Sequence, residues 1–215
     1  MKRVVVIGLG IFGSQLARQV YESGQEVIAI DKNEDVVQKI RVHCTKAVLA
    51  DASDKEVLEN IGISENDVVA ISFGEDLSAS TLVTLHLKEM EVKTIIVKVP
   101  NEDHKRILLK VGASEAIIPE REMAIKVARS IISPNVLEYL PISEDYTIVE
   151  LAMPPSFIGR SLADLDLRKK YNLQVVAIRD VLDNNLKMVP SANSIFNDGD
   201  ILVIIGREED IRKIQ

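Results

Sequence analysis

The chain leaves its first strand directly through glycine. Arg3 to Ile7 (RVVVI) is short, β-branched and almost wholly apolar, and Gly8-Leu9-Gly10-Ile11-Phe12-Gly13 follows without a spacer before a helical pattern begins. A strand lacking polar alternation is buried on both faces, which requires helices above and below its sheet. G-x-G-x-x-G is a common accident in isolation. Between a strand and a helix it is the dinucleotide-binding fingerprint. There Gly8 permits the tight turn, Gly10 lets a pyrophosphate approach the backbone, and Gly13 lets the helix pack on the strand. Free N–H groups at the helix start then face the phosphates. Asp31 stands 18 residues beyond Gly13, at the end of the second apolar run. A carboxylate there accepts hydrogen bonds from a ribose diol and repels a 2′-phosphate, which disfavours NADP. The competing reading is a turn with packing glycines and a solvated aspartate.

Further strands are expected at Glu26 to Ile30, Ala47 to Leu49, Asp67 to Ser72, Thr94 to Lys98 and Ala116 to Ile118. Helical stretches lie between them near 12–23, 33–42, 54–60, 77–90 and 102–111, with another at 121–132. Regular alternation at this spacing means βαβ units, hence an α/β, Rossmann-like doubly wound parallel sheet. The pattern breaks at Ser133-Pro134 and again at Pro141, with Asn135 to Pro141 reading as an amphipathic connector. Beyond it, strands at Tyr146 to Met153, Gln174 to Arg179, Lys187 to Val189 and Ile201 to Ile205, with a helix at Ser161 to Tyr171, describe a second, smaller α+β domain. The expected domains are therefore 1–133 for nucleotide binding, 134–142 as connector and 143–215 for the α+β domain.

Ligands of such sheets bind where the strands end, so the loops after the other strands line the same crevice. Asp51-Ala52 follows the third strand, Ser72-Phe73-Gly74 the fourth, Lys98 ends the fifth and Glu120 follows the sixth. Asp51 suits either an adenine edge or the cap of the next helix. Phe73 suits a base or the core, and Lys98 suits a phosphate or water. Glu120 suits a cation such as Mg²⁺ or a helix cap, and no other metal ligand set is expected.

Other chemistry is poorly supplied. The net charge is −7 and both halves of the chain are acidic, which excludes a nucleic-acid partner. A single cysteine, Cys44, excludes a disulfide framework and fits a reducing compartment. No apolar run approaches the ~20 residues of a spanning helix. His43, His86 and His104 all fall on expected helices, and Cys44 beside His43 reads as inert. No tyrosine has a lysine four residues on, and no P-loop lysine, nucleophile elbow or paired-histidine metal motif occurs. A catalytic role is therefore not expected. An NAD-dependent oxidoreductase with a substrate-binding second domain is the alternative.

Val4 to Gly13, Asp31, Ala50-Asp51-Ala52, Phe73 to Thr81 and Ile118-Pro119-Glu120 together resemble the RCK or KTN regulatory proteins of Trk and Ktr potassium-uptake systems. Phe157 to Leu162 and Gly199 to Ile204 resemble the C-terminal domain of that family, so the likeness covers almost the whole chain. The resemblance implies a cytoplasmic protein that dimerises and assembles into an octameric ring, of one or two RCK-type subunits, on the inner face of a membrane potassium channel. Exchange between NAD⁺ and NADH, or between ATP and ADP, would then change the ring and the channel's activity. Carried over, the nucleotide contacts are Gly8, Gly10, Ile11, Phe12, Gly13, Asp31, Lys32, Asp51, Ala52, Ser72, Phe73 and Lys98. Glu120 matches a glutamate placed near the terminal phosphate or a cation. Ile11 stands where Ktr-type members commonly have an arginine reaching ATP phosphates, which leaves NAD(H), ADP or AMP open. Leu162, Asp166, Arg168 and Leu173 partly match a cyclic di-AMP motif, from which Ala163 and Gln174 depart.

Overall fold

The computed structural model describes residues 2–214 except 75, 182 and 184, so Glu75, within the family-like stretch Phe73 to Thr81, lies outside the described residues. The chain divides into two compact units, Met1–Glu122 and Met123–Gln215. The first contains β1 (Arg3–Ile7), α1 (Ile11–Glu22), β2 (Glu26–Asp31), α2 (Glu34–Ile40), β3 (Lys46–Leu49), α3 (Lys55–Ile61), β4 (Val68–Ile71), α4 (Leu77–Glu89), β5 (Thr94–Lys98), α5 (Glu102–Val111) and β6 (Glu115–Ile117). The division between the units falls inside α6 (Pro119–Ile132).

The six strands form one sheet in the order β3-β2-β1-β4-β5-β6, and all the pairs are parallel. Side chains alternate between two cores, one on each face. Val5, Ile7, Ile28, Ile30, Val69, Ile71, Ile95 and Val97 enter one core. Val4, Val6, Val27 and Ala29 enter the other, against Leu9, Ala17 and Val37. Burial on both faces is why these strands read as unbroken apolar runs. The chain order reverses between β1 and β4, which opens a crevice at their carboxyl ends.

At the opposite end of those strands, Arg3 and Asp67 form a fork. Arg3 Nε and Nη2 donate to the two carboxylate oxygens at 2.9 and 2.6 Å, and Ser64 N–H donates to Asp67 Oδ2 at 2.7 Å. Asp67 is buried. Burial pushes its carboxyl up, but the bonds from Arg3 and Ser64 outweigh this and hold it below the ordinary carboxylate value.

The second unit is an antiparallel sheet in the order β10-β9-β11-β8-β7. Its strands are β7 (Val136–Pro141), β8 (Tyr146–Ala152), β9 (Gln174–Arg179), β10 (Leu186–Met188) and β11 (Ile201–Arg207). One face packs Val149, Leu151, Val175, Leu202 and Ile204 against Leu165, Leu167 and Phe196. Two readings change. Residues 136–141, expected as connector, are the edge strand β7, because Val136 and Tyr139 reach this core while the backbone pairs with β8. Pro141 is tolerated there as the last residue of an edge strand. The helix expected over Ser161 to Tyr171 is two short ones, α7 (Leu162–Leu165) and α8 (Leu167–Tyr171), because Asp166 takes a left-handed conformation (φ 45°) between them. The chain closes with α9 (Glu208–Ile211) and a 3-10 turn.

Removing Arg3 leaves a buried carboxylate without its counter-charge. Arg3→Ala is expected to destabilise the protein by about 2–3 kcal/mol at pH 7, a value discounted for the partial exposure of Arg3. Asp67 has a lowered folded pKa, so its pairing is fully present above the unfolded value near 3.9 and fades as pH falls through the folded one. Urea titrations of both proteins should therefore differ at pH 7 and converge in strong acid.

Candidate functional site

The crevice is built from backbone contacts too close for side chains. Gly8 follows β1 at φ +88°, and a Cβ on it would lie 2.6 Å from the Ser72 carbonyl oxygen at the end of β4. A Cβ on Gly13 would lie 1.9 Å from the Gly8 carbonyl oxygen. Both glycines are thus required by the protein itself. Gly10 is not: a Cβ there would meet nothing within 4 Å. Its φ of −61° suits any residue. Of the three, Gly10 alone faces open space, which is what close approach of a ligand to the loop needs.

The start of α1 differs from its neighbours in the same way. Helices α2, α3, α4 and α5 are capped by the side chains of Asn33, Asp54, Asp76 and Asn101. Helix α1 begins at Gly10 with no side-chain cap and no acidic residue in its first turn. Its leading N–H groups and the positive end of its dipole are available to an anion.

Asp31 ends β2 and holds this loop. Leu9 N–H donates to its Oδ2 at 2.6 Å and Asn33 N–H donates to its Oδ1 at 2.8 Å. Two of roughly four acceptor positions on the carboxylate are so occupied, leaving capacity for a sugar hydroxyl. Ser14 Oγ donates to the Leu9 carbonyl at 2.6 Å, closing the turn from its other side. Leu9, Ser14 and Asn33 were not singled out by sequence. Leu9 works through its backbone, which carries no residue signal, whereas Asn33 before two carboxylates is a legible helix start.

The remaining residues fall around this nucleus. Ile11, the first residue of α1, is 92% exposed, and Phe12 behind it is half-buried. Lys32 is exposed beyond Asp31. Asp51 does not cap α3; Asp54 does. Asp51 instead turns back to accept from Ser53 N–H at 2.9 Å. That backbone bond leads a set of contacts, with Lys32 among the weaker ones, that lower its carboxyl below the usual range. Ala52 directs its methyl into the core, so its backbone is what the crevice meets. Phe73 is partly buried against the same core. Lys98 ends β5 with its Nζ 2.5 Å from Glu120 Oε1 and 6.0 Å from the centre of the Phe12 ring. Glu120 lies in the first turn of α6, and the bond from Lys98 is the main cause of its lowered carboxyl.

The partner of Glu120 is an ammonium, and no group of three His, Cys, Asp or Glu is close enough to hold a metal among the described residues. His43 lies in the 3-10 turn Arg41–His43, His86 in α4 and His104 in the first turn of α5. None lies in the loops after β1 or β4. Cys44 is not helical as expected: it is extended just beyond that 3-10 turn and buried, and burial pushes its thiol up, which suits an unreactive side chain.

The family model for the TrkA-N domain matches residues 4–119, and that for the TrkA-C domain matches 146–215. Ktr system potassium uptake protein C of Bacillus subtilis (strain 168) is 40% identical over 214 residues, which span 100% of this chain and 96% of that protein. Ktr system potassium uptake protein A of the same organism is 36% identical over the same shares. Among solved structures, the GsuK channel matches with a TM-score of 0.68 and 16% identity, over 98% of this chain and 38% of that one. The chain thus spans well under half of that channel polypeptide, and the likeness concerns the fold. No helix among the described residues is long and apolar enough to cross a membrane.

The three glycines separate structural from ligand roles. Gly10→Ala is expected to cost no more than about 1 kcal/mol, the difference between those residues at a helix start. Gly13→Ala forces the Gly8 carbonyl aside and is expected to cost about 3 kcal/mol or more. Thermal unfolding of the two variants checks this directly.

Proposed function

The chain belongs to the TrkA/KtrA-type (RCK/KTN) family, and on that premise we propose that it is a nucleotide-binding regulatory subunit of a potassium-uptake system. The two Ktr relatives support the system, and the channel whose fold it shares agrees with a membrane partner. The observation that carries nucleotide binding is the contrast at the first loop. Gly8 and Gly13 are demanded by packing, while Gly10 and the uncapped start of α1 answer to nothing in the protein.

In this reading the pyrophosphate lies over Gly10 against the N–H groups of α1, with Phe12 and Lys98 beside it. Asp31 accepts the ribose hydroxyls, and Lys32, Asp51, Ala52, Ser72 and Phe73 border the adenosine. Ile11 brings no charge to the phosphates, so NAD(H), ADP or AMP is preferred over ATP, and the Asp31 carboxylate disfavours NADP. Structures of GsuK bound to NAD and bound to ADP agree with an adenine nucleotide. The chain acts from the cytoplasm as dimers within an octameric ring, homomeric or mixed, and touches the membrane only through its channel partner. The nucleotide shifts the ring between conformations by binding one of them more tightly. The second domain then needs no catalytic group, and the two Ktr relatives are potassium-uptake proteins, which favours this reading over an oxidoreductase.

Calorimetry with NAD⁺, NADH, NADP⁺, ADP and ATP tests the reading, with light scattering to follow assembly mass. Submillimolar binding of NAD(H) or ADP is expected, at least about tenfold weaker in Gly10→Ala and for NADP⁺, a difference of about 1.4 kcal/mol. Gly10→Ala is preferred to an Asp31 variant because Asp31 also holds the loop. Equal affinity in Gly10→Ala would remove the phosphates from this loop, and steady consumption of NADH would restore the oxidoreductase.

A further inference from the structure

The second unit contains a cleft to which nucleotide binding gives no role. It opens where the last turn of α6 meets β7, β8 and α9, and every residue lining it belongs to that unit. Val149 and Ile211 form its innermost wall, 1% and 2% exposed, with Val136 and the Tyr139 ring beside them. Leu162, Asp166, Arg168 and Leu173, which resemble part of a cyclic di-AMP motif, do not line it. The charges around the cleft are unevenly matched. Glu208 accepts from Arg212 Nη2 at 2.5 Å through Oε1 and from the Tyr139 hydroxyl at 3.1 Å through Oε2. The bond from Arg212 leads the influences that hold the Glu208 carboxyl below its ordinary value, and Arg129 contributes least. The Arg129 guanidinium instead stacks over Tyr139, its centre 4.0 Å from the ring centre. It has no ion-pair partner among the described residues.

We propose that this cleft is a second ligand site, which takes a small amphipathic organic carboxylate, with its anionic end on Arg129 and its apolar body against Val136, Val149 and Ile211. Stacking on Tyr139 fixes the plane of the guanidinium while its N–H edges stay available, and such a fork receives a carboxylate through two parallel hydrogen bonds. Two guanidiniums against one carboxylate leave a local excess of positive charge, on a chain whose net charge is −7. An inorganic anion would leave the apolar wall facing water, and a neutral molecule would cover the guanidinium without a counter-charge. Few polar groups over a mostly apolar wall are the usual composition of a small-molecule site. Glu208 has the opposite effect to Arg129, because its charge repels an incoming anion and occupies Arg212. The site is independent of nucleotide binding, which concerns the first unit.

The test titrates the full chain with benzoate by NMR chemical shift, with benzamide, acetate and inorganic phosphate as controls. Saturable binding of benzoate at about 1 mM or tighter is expected, at least about tenfold tighter than any control. Arg129→Gln should weaken benzoate about tenfold or more. Glu208→Gln should tighten it about two- to fivefold, a gain limited by the partial exposure of these groups. Opposite shifts from two surface substitutions do not arise from a general loss of folding. Gly10→Ala should leave benzoate affinity unchanged. Equal binding of benzamide, or of benzoate by Arg129→Gln, overturns the proposal, as does phosphate or acetate binding as tightly as benzoate. Displacement of benzoate by NAD⁺, or its loss in Gly10→Ala, overturns it by moving the anion to the glycine loop. Benzoate affinity that falls as protein concentration rises also overturns it, by assigning the cleft to contacts between copies of the chain.

Discussion

Everything at the crevice depends on how closely three pieces of backbone approach one another. The turn after β1 lies against the end of β4, and the first turn of α1 lies against the turn after β1. Each contact tolerates a hydrogen where any other side chain would collide. The sheet and the helix are thereby locked at one spacing, and Ser72 N–H to Ile7 carbonyl, at 2.7 Å, continues the strand pairing right up to the turn. A loop this constrained costs little further ordering when a ligand arrives, which is the physical meaning of a preorganised site.

The opposite ends of β1 and β4 are secured differently. There the Arg3–Asp67 fork joins the beginnings of two neighbouring strands with charge-assisted hydrogen bonds. At one end backbone rigidity shapes a place for something else; at the other, Arg3 and Asp67 pair with each other and with the backbone of Gly62 and Ser64. The Asp67 carboxylate accepts three hydrogen bonds from within the protein, whereas that of Asp31 at the carboxyl edge accepts two.

Local periodicity made the first unit readable. Apolar runs buried on both faces identify parallel strands, and the helix starts at Asn33, Asp54, Asp76 and Asn101 carry their own caps in sequence. What escaped were relations across long sequence distance. Nothing near Arg3 announces Asp67, 64 positions away, and nothing in Lys98 announces that Glu120 holds it. In the second unit, β7 was hidden because only Val136 and Tyr139 of its six residues turn toward the core. Asp166 broke a helix that periodicity alone would continue. The glycine loop and Asp31 were legible as a motif, but sequence could not separate Gly8 and Gly13 from Gly10, since that distinction lies in what surrounds an absent Cβ.

Asp31 serves two masters at once. Its oxygens orient Leu9 and Asn33, and the same oxygens would face a ribose. An amide or a hydroxyl at this position offers one acceptor oxygen in place of two, and an apolar or positively charged residue offers none. Any lineage drifting toward a 2′-phosphorylated cofactor would therefore have to rebuild the supports of its own loop in the same step. In the proposed site, discrimination against a 2′-phosphate is thus tied to the same carboxylate that supports the loop, and single substitutions along that route lead first through a damaged protein.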